Sequence, residues 1–155
     1  MEIALLAVGR LRRFYRDAFD EYAGRLSRYV RFREVELREA RQGTDALGRQ
    51  DESRRLTARL PASATVVALS RTGQAWSSEE LARRLDGWRL AARPLAVVIG
   101  GSTGLDRSFL ERADLRWSLG PLTLPHELAR VVVAEQLYRG FTILRGEPYH
   151  KGARR

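Results

Sequence analysis

Short apolar runs alternate with helix-patterned segments five times along the chain, and this alternation limits the possible folds more than any other feature. The clearest apolar runs are Glu2–Val8, Thr65–Leu69 and Leu95–Ile99, and further strands are predicted at 32–38 and Leu115–Leu119. Apolar strands separated by helices are typical of parallel sheets that are covered on both faces. The order β-α-β-α-β-α-β-α-β-α therefore predicts an α/β sandwich with a mostly parallel sheet.

Helical periodicity fills the intervals between these strands. Helices are predicted at 12–29, at 45–59, from the cap Ser77 to about Ala92, after Asp106, and at His126–Tyr138 with Gly140 as the stop, whereas Ser70–Ala75 is predicted as a loop. Ser77 and Glu80 have the spacing of a capping box. The last helix is apolar on more than one side, which favours either a central place in the core or contact with a partner subunit.

The charge of the chain indicates the chemistry of its partner. The 155 residues are enough for one domain with a substantial core, and the formal net charge is +9. Lys151 is the only lysine, so arginine supplies 27 of the 28 basic residues. The planar guanidinium fits phosphate, and this balance favours a polyanionic partner, most simply a nucleic acid. Codon composition is the alternative explanation.

Composition excludes several other classes. The chain has no cysteine and only two histidines, His126 and His150, so we expect no disulfide, no zinc site and no other metal. The longest apolar runs, such as Ile3–Val8, are far shorter than the ~20 residues of a membrane-spanning helix. We therefore predict a protein without a membrane segment, located in the cytoplasm.

A glycine-rich loop follows the strand Leu95–Ile99, in the stretch AVVIGGSTGL at 96–105. Its glycines do not have the spacing of a dinucleotide fingerprint, and Leu105-Asp106 follows Gly104 where a phosphate-binding P-loop requires Lys-Ser/Thr. Ligands of parallel α/β sheets bind outside the carboxyl ends of the strands, where this loop, Leu69-Ser70 and Leu119–Leu124 could line one crevice. Such apolar, backbone-rich loops suit a flat heterocycle with a thioether or sulfonium group. A tight structural turn is the alternative explanation of the glycines.

More specific motifs occupy the last sixty residues, which contain VVIGGSTGL, LRWSLGPLTLPHELARVVVAEQLYRGFTI and PYHK. With the N-terminal VGR, DEYAGRLSRY and GQAWSSEELA, they resemble the RlmH family over essentially the whole chain. These are small SPOUT-superfamily methyltransferases that methylate N3 of a pseudouridine in 23S ribosomal RNA of the large subunit. The resemblance implies a single domain over 1–155 with a trefoil knot at roughly 65–145. It also implies a cytoplasmic homodimer that acts on ribosomal RNA, with the active site at the subunit interface.

The resemblance implies a site for S-adenosylmethionine (SAM), the methyl donor. The corresponding cofactor-binding residues are Leu69, Gly100, Gly101, Leu119, Gly120, Pro121, Leu122, Thr123 and Leu124. On this interpretation Gly100 and Gly101 carry no side chain so that SAM can pack directly against their backbone. We interpret His126 as mainly structural and, as a second choice, as a neighbour of SAM.

The resemblance also implies three catalytic residues. Arg139 would stabilise negative charge on the base or hold a phosphate, Tyr149 would stack on or orient the flipped base, and His150 would accept its proton. Without the resemblance, Arg139 would be a cation at the end of a helix and Tyr149-His150 a frayed tail.

Two other functions remain open from the sequence. The chain could have another SPOUT activity, such as methylation of a transfer RNA, or it could be a non-catalytic, basic ribosome-binding protein. The intact loops and the PYH tail favour the ribosomal RNA methyltransferase.

Overall fold

The five predicted strands form one parallel sheet in the computed structural model, which describes residues 1–41 and 43–149. The strands are β1 (Glu2–Val8), β2 (Arg31–Leu37), β3 (Thr65–Ala75), β4 (Leu95–Ile99) and β5 (Leu115–Ser118). Their order across the sheet is β2-β1-β4-β3-β5, and each pair of neighbours is parallel. The predicted α/β class with a parallel sheet is therefore confirmed. The trefoil knot and the extent of the domain remain predictions.

Within the described residues, five α-helices connect and follow the strands. They are α1 (Arg13–Leu26), α2 (Asp45–Ala58), α3 (Ser78–Leu90), α4 (Arg107–Arg112) and α5 (His126–Leu144). The capping box at the start of α3 is confirmed. The Ser77 hydroxyl accepts a hydrogen bond of 3.1 Å from the Glu80 N–H, and the Glu80 carboxylate accepts one of 2.7 Å from the Ser77 N–H.

The sheet is covered on both faces, as the apolar strands require. Because side chains alternate along a strand, Ile3 and Leu5 of β1 belong to the core cluster formed with α1, α3 and α5. Leu6 belongs to the cluster on the other face, together with Leu56 of α2 and Phe109 of α4. The result is a three-layer sandwich in which β1 and β4, in the middle of the sheet, are almost fully buried.

The long helix α5 lies between α1 and α3 on one face of the sheet. Val133, Ala134 and Leu137 are fully buried there. This position accounts for apolar residues on more than one side of the helix.

Strand β3 is longer than predicted, because the residues predicted as a loop at Ser70–Ala75 continue it. Leu69 and Gln74 both lie opposite Trp117 of β5, so the residues between them form an excursion from the ladder. Gly73 allows the chain to return from this excursion to the ladder with β5. A Cβ atom at Gly73 would lie 2.6 Å from the backbone carbonyl of Arg116, a distance that no side chain tolerates.

The predicted end of helix α5 before Gly140 is wrong, because the helix continues to Leu144. Gly140 is instead a contact point between helices. A Cβ atom at this position would lie 2.5 Å from Cδ1 of Leu85, which is fully buried in α3. The glycine therefore permits close packing of α5 on α3. Gly146, with φ of +65°, follows the actual end of the helix.

Three glycine-to-alanine substitutions test this account of the helices. Gly24 in α1 and Gly87 in α3 are exposed, and a Cβ atom at either would meet nothing within 4 Å. We expect Gly24→Ala and Gly87→Ala each to raise the free energy of unfolding by about 0.5–1 kcal/mol, because alanine restricts the unfolded chain. Gly140→Ala should lower it by about 1–3 kcal/mol through overpacking. Urea unfolding curves measure all three, and a stabilised Gly140→Ala would contradict the proposed contact.

Candidate active site

Three neighbouring strands end at one edge of the sheet, and a cavity of about 360 Å³ opens there. Because β3 lies between β4 and β5, the excursion of β3 after Leu69 and the loops after Ile99 and Ser118 meet at this edge. The volume falls in the range of ~300–1,000 Å³ that is usual for small-molecule sites.

Seven of the nine predicted cofactor residues line the cavity, namely Leu69, Gly100, Gly101, Leu119, Gly120, Leu122 and Leu124. The other two, Pro121 and Thr123, belong to the same loop but not to the lining. The Thr123 hydroxyl accepts a hydrogen bond of 2.8 Å from Nη1 of Arg71, which lies in the cavity wall. This bond ties the loop after β5 to the excursion of β3.

The lining also contains residues beyond the predicted cofactor set, namely Ser70, Arg71, Thr72, Ile99, Gly104, Leu105, Leu110, His126 and Ala129. Ser70 and Ile99 directly flank predicted positions, and Gly104 and Leu105 belong to the predicted glycine loop, so membership of these loops was a usable signal. His126 and Ala129 come from the first turn of α5, and no spacing in the sequence places that turn against these loops. The position of His126 in the wall favours the second interpretation of this residue, as a neighbour of the ligand.

The glycine loop is held by contacts within the protein. Gly104 has φ of +80°, and its N–H donates a hydrogen bond of 3.0 Å to the Gly101 carbonyl, which closes a tight turn. A Cβ atom at Gly100 would lie 2.6 Å from the Gly104 backbone, and one at Gly101 would lie 3.1 Å from Cγ1 of Val8. Both residues line the cavity, but the space that their side chains would fill belongs to the protein. The alternative of a tight structural turn therefore explains Gly100 directly.

A second set of contacts joins the loop after β1 to the start of α5. Both the backbone N–H and Nε of Arg12 donate hydrogen bonds of 2.9 Å to the buried Glu127 carboxylate. Burial alone would raise the pKa of Glu127, but these hydrogen bonds outweigh it and hold the pKa below its usual value. Nη2 of Arg130 donates to the Gly9 carbonyl at 2.8 Å. These bonds fix the first turn of α5, where His126 faces the cavity.

Two of the three predicted catalytic residues meet in one cluster. Nε and Nη2 of Arg139 donate hydrogen bonds of 2.9 and 2.6 Å to Oε1 of Glu135, and the Tyr149 hydroxyl donates one of 3.0 Å to the same oxygen. The guanidinium of Arg139 also lies 4.8 Å from the centre of the Tyr149 ring. Burial and the hydrogen bond to Glu135 raise the pKa of Tyr149, so the phenol stays protonated at neutral pH.

The Glu135 cluster is separate from the cavity, since none of its three residues lines the cavity wall. The alternative interpretation of Arg139 as a cation at a helix end is wrong, because α5 continues for five residues beyond it. His150, the third predicted catalytic residue, lies outside the described residues. Glu135 was not predicted, although its spacing of four residues from Arg139 on a helix was a usable signal.

Two further features are absent from the part of the chain that the structure describes. No group of three or more histidine, cysteine, aspartate or glutamate residues there could hold a metal ion. No described helix combines the length and the apolar character needed to cross a membrane.

The sequence is similar to known proteins over almost its whole length. A family model described as a predicted SPOUT methyltransferase matches residues 1–150. Ribosomal RNA large subunit methyltransferase H from Anaeromyxobacter sp. (strain Fw109-5) is 49% identical over 154 residues, which are 97% of this chain and 100% of the relative. The protein of the same name from Rubrobacter xylanophilus is 51% identical over 153 residues, covering 94% of this chain and 96% of the relative.

Solved structures extend the likeness of the fold. The SpoU methyltransferase AviRb from Streptomyces viridochromogenes, solved in complex with AdoMet, superposes with a TM-score of 0.50 at 13% identity, covering 92% of this chain and 61% of that one. A probable methylase family protein from Haemophilus influenzae Rd KW20 superposes with a TM-score of 0.53 at 12% identity, covering 96% and 69%. At these identities the structures establish the shared fold only.

Proposed function

The chain belongs to the SPOUT methyltransferases and, within them, to the family of ribosomal RNA large subunit methyltransferase H, and from this membership we propose that it methylates large-subunit ribosomal RNA with SAM as the methyl donor. The observation that carries the proposal is the cavity at the ends of β3, β4 and β5, which is lined by seven of the residues that the family assigns to SAM. The net charge of +9 suits an RNA substrate, and a ribosomal substrate implies a cytoplasmic location.

The residues of the cavity fit SAM. Leucine side chains such as Leu69 and Leu122 offer apolar surface to a heterocycle, and the backbone of the Gly100–Gly104 turn, which lines the cavity, offers donors and acceptors. When bound, SAM supplies an electrophilic methyl group on a sulfonium centre. The protein contributes binding, orientation and exclusion of water around that group.

We place the chemistry at N3 of a pseudouridine, as the family resemblance implies. Arg139 stabilises the negative charge that develops on the base when N3 loses its proton. Tyr149 orients the flipped base, and because its pKa is raised, it acts as a neutral phenol and not as the proton acceptor. His150 accepts the proton in this proposal. Glu135 holds Arg139 and Tyr149 in one arrangement.

The separation of the Glu135 cluster from the cavity supports a homodimer with composite sites. In such a dimer, Arg139 and Tyr149 of one protomer complete the cavity of the other. We expect light scattering at micromolar concentration to give twice the mass of the chain, 17.6 kDa. A monomeric mass would exclude the composite site.

The proposed reaction can be tested directly. The purified protein is incubated with methyl-labelled SAM and unmodified ribosomes or isolated large-subunit RNA, the RNA is digested, and the labelled nucleoside is identified. Label on N3 of pseudouridine in large-subunit RNA is the expected result. Label on transfer RNA would favour the alternative SPOUT activity, with transfer RNA as the substrate. No label with any RNA would favour the non-catalytic ribosome-binding protein. The parallel reactions also show whether the assembled ribosome is required.

The tight turn at the cavity gives a prediction for cofactor affinity. Gly100→Ala places a Cβ atom against the Gly104 backbone, so the turn must open. We expect SAM binding to weaken by about tenfold or more, since overpacking of this kind typically costs 1–3 kcal/mol. Isothermal titration calorimetry measures it, with Gly24→Ala, far from steric contacts, as the control. Unchanged affinity in Gly100→Ala would contradict this placement of the cofactor.

The protonation state of Tyr149 gives a prediction for the pH profile. Because the pKa of Tyr149 is raised, no ionisation of this residue falls below about pH 9. We expect Tyr149→Phe to lower the methyl-transfer rate by about tenfold without changing the shape of the rate profile between about pH 6 and 9. A profile that loses an ionisation in Tyr149→Phe would make Tyr149 the proton acceptor and overturn its proposed role.

A further inference from the structure

An exposed aromatic residue stands at the start of α1 without an explanation in the fold. Phe14 is 60% exposed, and the other large hydrophobic residues that are exposed in the described chain are leucines. Its ring centre lies 4.3 Å from that of Tyr15, which packs against the core. The guanidinium of Arg12 lies 5.1 Å from the centre of the Phe14 ring and 5.5 Å from that of Tyr15. Three planar groups, two aromatic rings and one guanidinium, therefore lie close together at this surface.

Arginines are concentrated around these rings in the sequence, and the nearest acidic residue along the chain is Asp17. Residues 9–16 read GRLRRFYR, with four arginines and no acidic residue. Arg16 is neutralised by the carboxylates of Glu34 and Glu36, whereas the side chains of Arg10 and Arg13 form no ion pair within the described residues and are exposed. The surface therefore combines a stacking face with unneutralised cations, the combination that proteins use to bind unpaired nucleotides.

The same surface is connected to the cofactor cavity. The backbone N–H and Nε of Arg12 both donate to Glu127, and the next residue back, His126, lines the cavity. These bonds leave the terminal Nη groups of Arg12 without a hydrogen bond in the described part of the chain, and the Arg12 side chain is 65% exposed. An RNA strand on this surface would therefore lie beside the wall of the cavity.

We propose that Arg12, Phe14 and Tyr15 form a stacking platform for an unpaired nucleotide of the RNA substrate, with Arg10 and Arg13 binding its phosphates. This inference rests on the proposed function for the identity of the RNA. The platform binds a nucleotide other than the one that is methylated, since the cavity and the Glu135 cluster serve the reacting base. An aromatic face accepts any base, so the platform contributes affinity and position, and little sequence specificity.

Substitutions at Phe14 test the platform. We expect Phe14→Ala and Phe14→Leu to weaken binding of unmodified large-subunit ribosomal RNA, measured without SAM, by about tenfold. The KM for ribosomes in methyl transfer should rise similarly, while kcat and SAM affinity stay as in the wild type. Phe14→Trp should retain wild-type binding, because it keeps the aromatic face. Leu90→Ala is the matched control, since Leu90 is 70% exposed and lies at the end of α3.

The proposed phosphate contacts of Arg10 and Arg13 are tested by the salt dependence of RNA binding. Arg10→Ala and Arg13→Ala should each reduce the slope of log K against log salt by about 0.7, the value for one phosphate contact on a single strand.

Other outcomes would overturn the inference or separate it from the proposed function. Equal RNA binding by Phe14→Ala, Phe14→Leu and wild type would overturn the platform. Loss of the dimer mass in Phe14→Ala would also overturn it and make this surface a contact between copies of the chain. RNA binding that depends on Phe14, without methyl transfer by the wild type, would retain the platform and refute the proposed reaction.

Discussion

Arg139→Ala is expected to lower the rate of methyl transfer by about 100-fold while SAM affinity stays unchanged. In the proposed mechanism Arg139 supplies positive charge where the base becomes negative, and loss of one such donor typically costs 10²–10³ in kcat. In this mechanism Arg139 acts on the base and is not among the residues that line the cofactor cavity of its own protomer, so we expect SAM affinity to be unchanged. Single-turnover transfer to ribosomes and calorimetry with SAM measure the two quantities separately.

Conservative variants show which property of Arg139 matters. Arg139 contacts Oε1 of Glu135 through both Nε and Nη2, an arrangement that a lysine ammonium cannot reproduce. Arg139→Lys should therefore recover only part of the rate. Glu135→Gln keeps the shape of the residue and removes its charge, so it should lower the rate less than Arg139→Ala does. A rate unchanged in Arg139→Ala would leave this cluster a purely structural role.

Mixed dimers test whether the Glu135 cluster serves the partner's cavity. Gly100→Ala weakens SAM binding and Arg139→Ala slows methyl transfer, so at a SAM concentration below the wild-type Kd each homodimer should have about a tenth of wild-type activity or less. If the sites are composite, a dimer of the two variants has one intact site. Random mixing makes half of the dimers mixed, so about a quarter of wild-type activity should return. No recovery, with mixed dimers verified by mass, would place cavity and cluster of the same protomer in one site.

The sequence predicted the layers of the fold because burial on both faces leaves a strong pattern. Leu95–Ile99 is apolar throughout, and the observed strand β4 has the same bounds. The errors occurred where a distant contact outweighs the local pattern. Gly140 is typical of a helix end in sequence, but it lies within α5 because Leu85 packs against it. Gly73 is typical of a loop, yet it lies in β3 where the backbone of β5 passes close.

The candidate site was predictable to a similar degree and for similar reasons. The sequence places Leu69 and Gly101 at predicted strand ends, and a parallel sheet brings strand ends together. The position of His126 depends on the path of α5 across the sheet. The periodicity of the sequence predicts that α5 is a helix but does not predict this path. The trefoil knot came only from the resemblance to a family, because knots are too rare for a pattern of strands and helices to imply one.

The largest loss of stability is expected at Arg130, a charged residue that is only 1% exposed. Its Nη1 contacts Glu34 and Glu36 of β2 at 3.2 and 2.7 Å, and its Nη2 donates to the carbonyl of Gly9 at 2.8 Å. The residue thus joins α5 to the ends of β1 and β2. We expect Arg130→Ala to lower the free energy of unfolding by about 3 kcal/mol or more, because it removes a buried ion pair and leaves a cavity.

Two variants separate charge from volume in this prediction. Arg130→Met fills most of the space without a charge, and Glu34 and Glu36 keep contact with Arg16 and with solvent. Buried ion pairs often contribute little net stability, and Nε of Arg130 has no partner among the described residues. Arg130→Met should therefore lower the free energy of unfolding by only about 1 kcal/mol. Urea unfolding measures both variants. If Arg130→Met is as unstable as Arg130→Ala, the carbonyl of Gly9 requires its donor. SAM affinity should then fall in Arg130→Met, because Gly9 lies against His126, with Nε2 of His126 3.4 Å from the position of a Cβ atom at Gly9, and His126 lines the cavity.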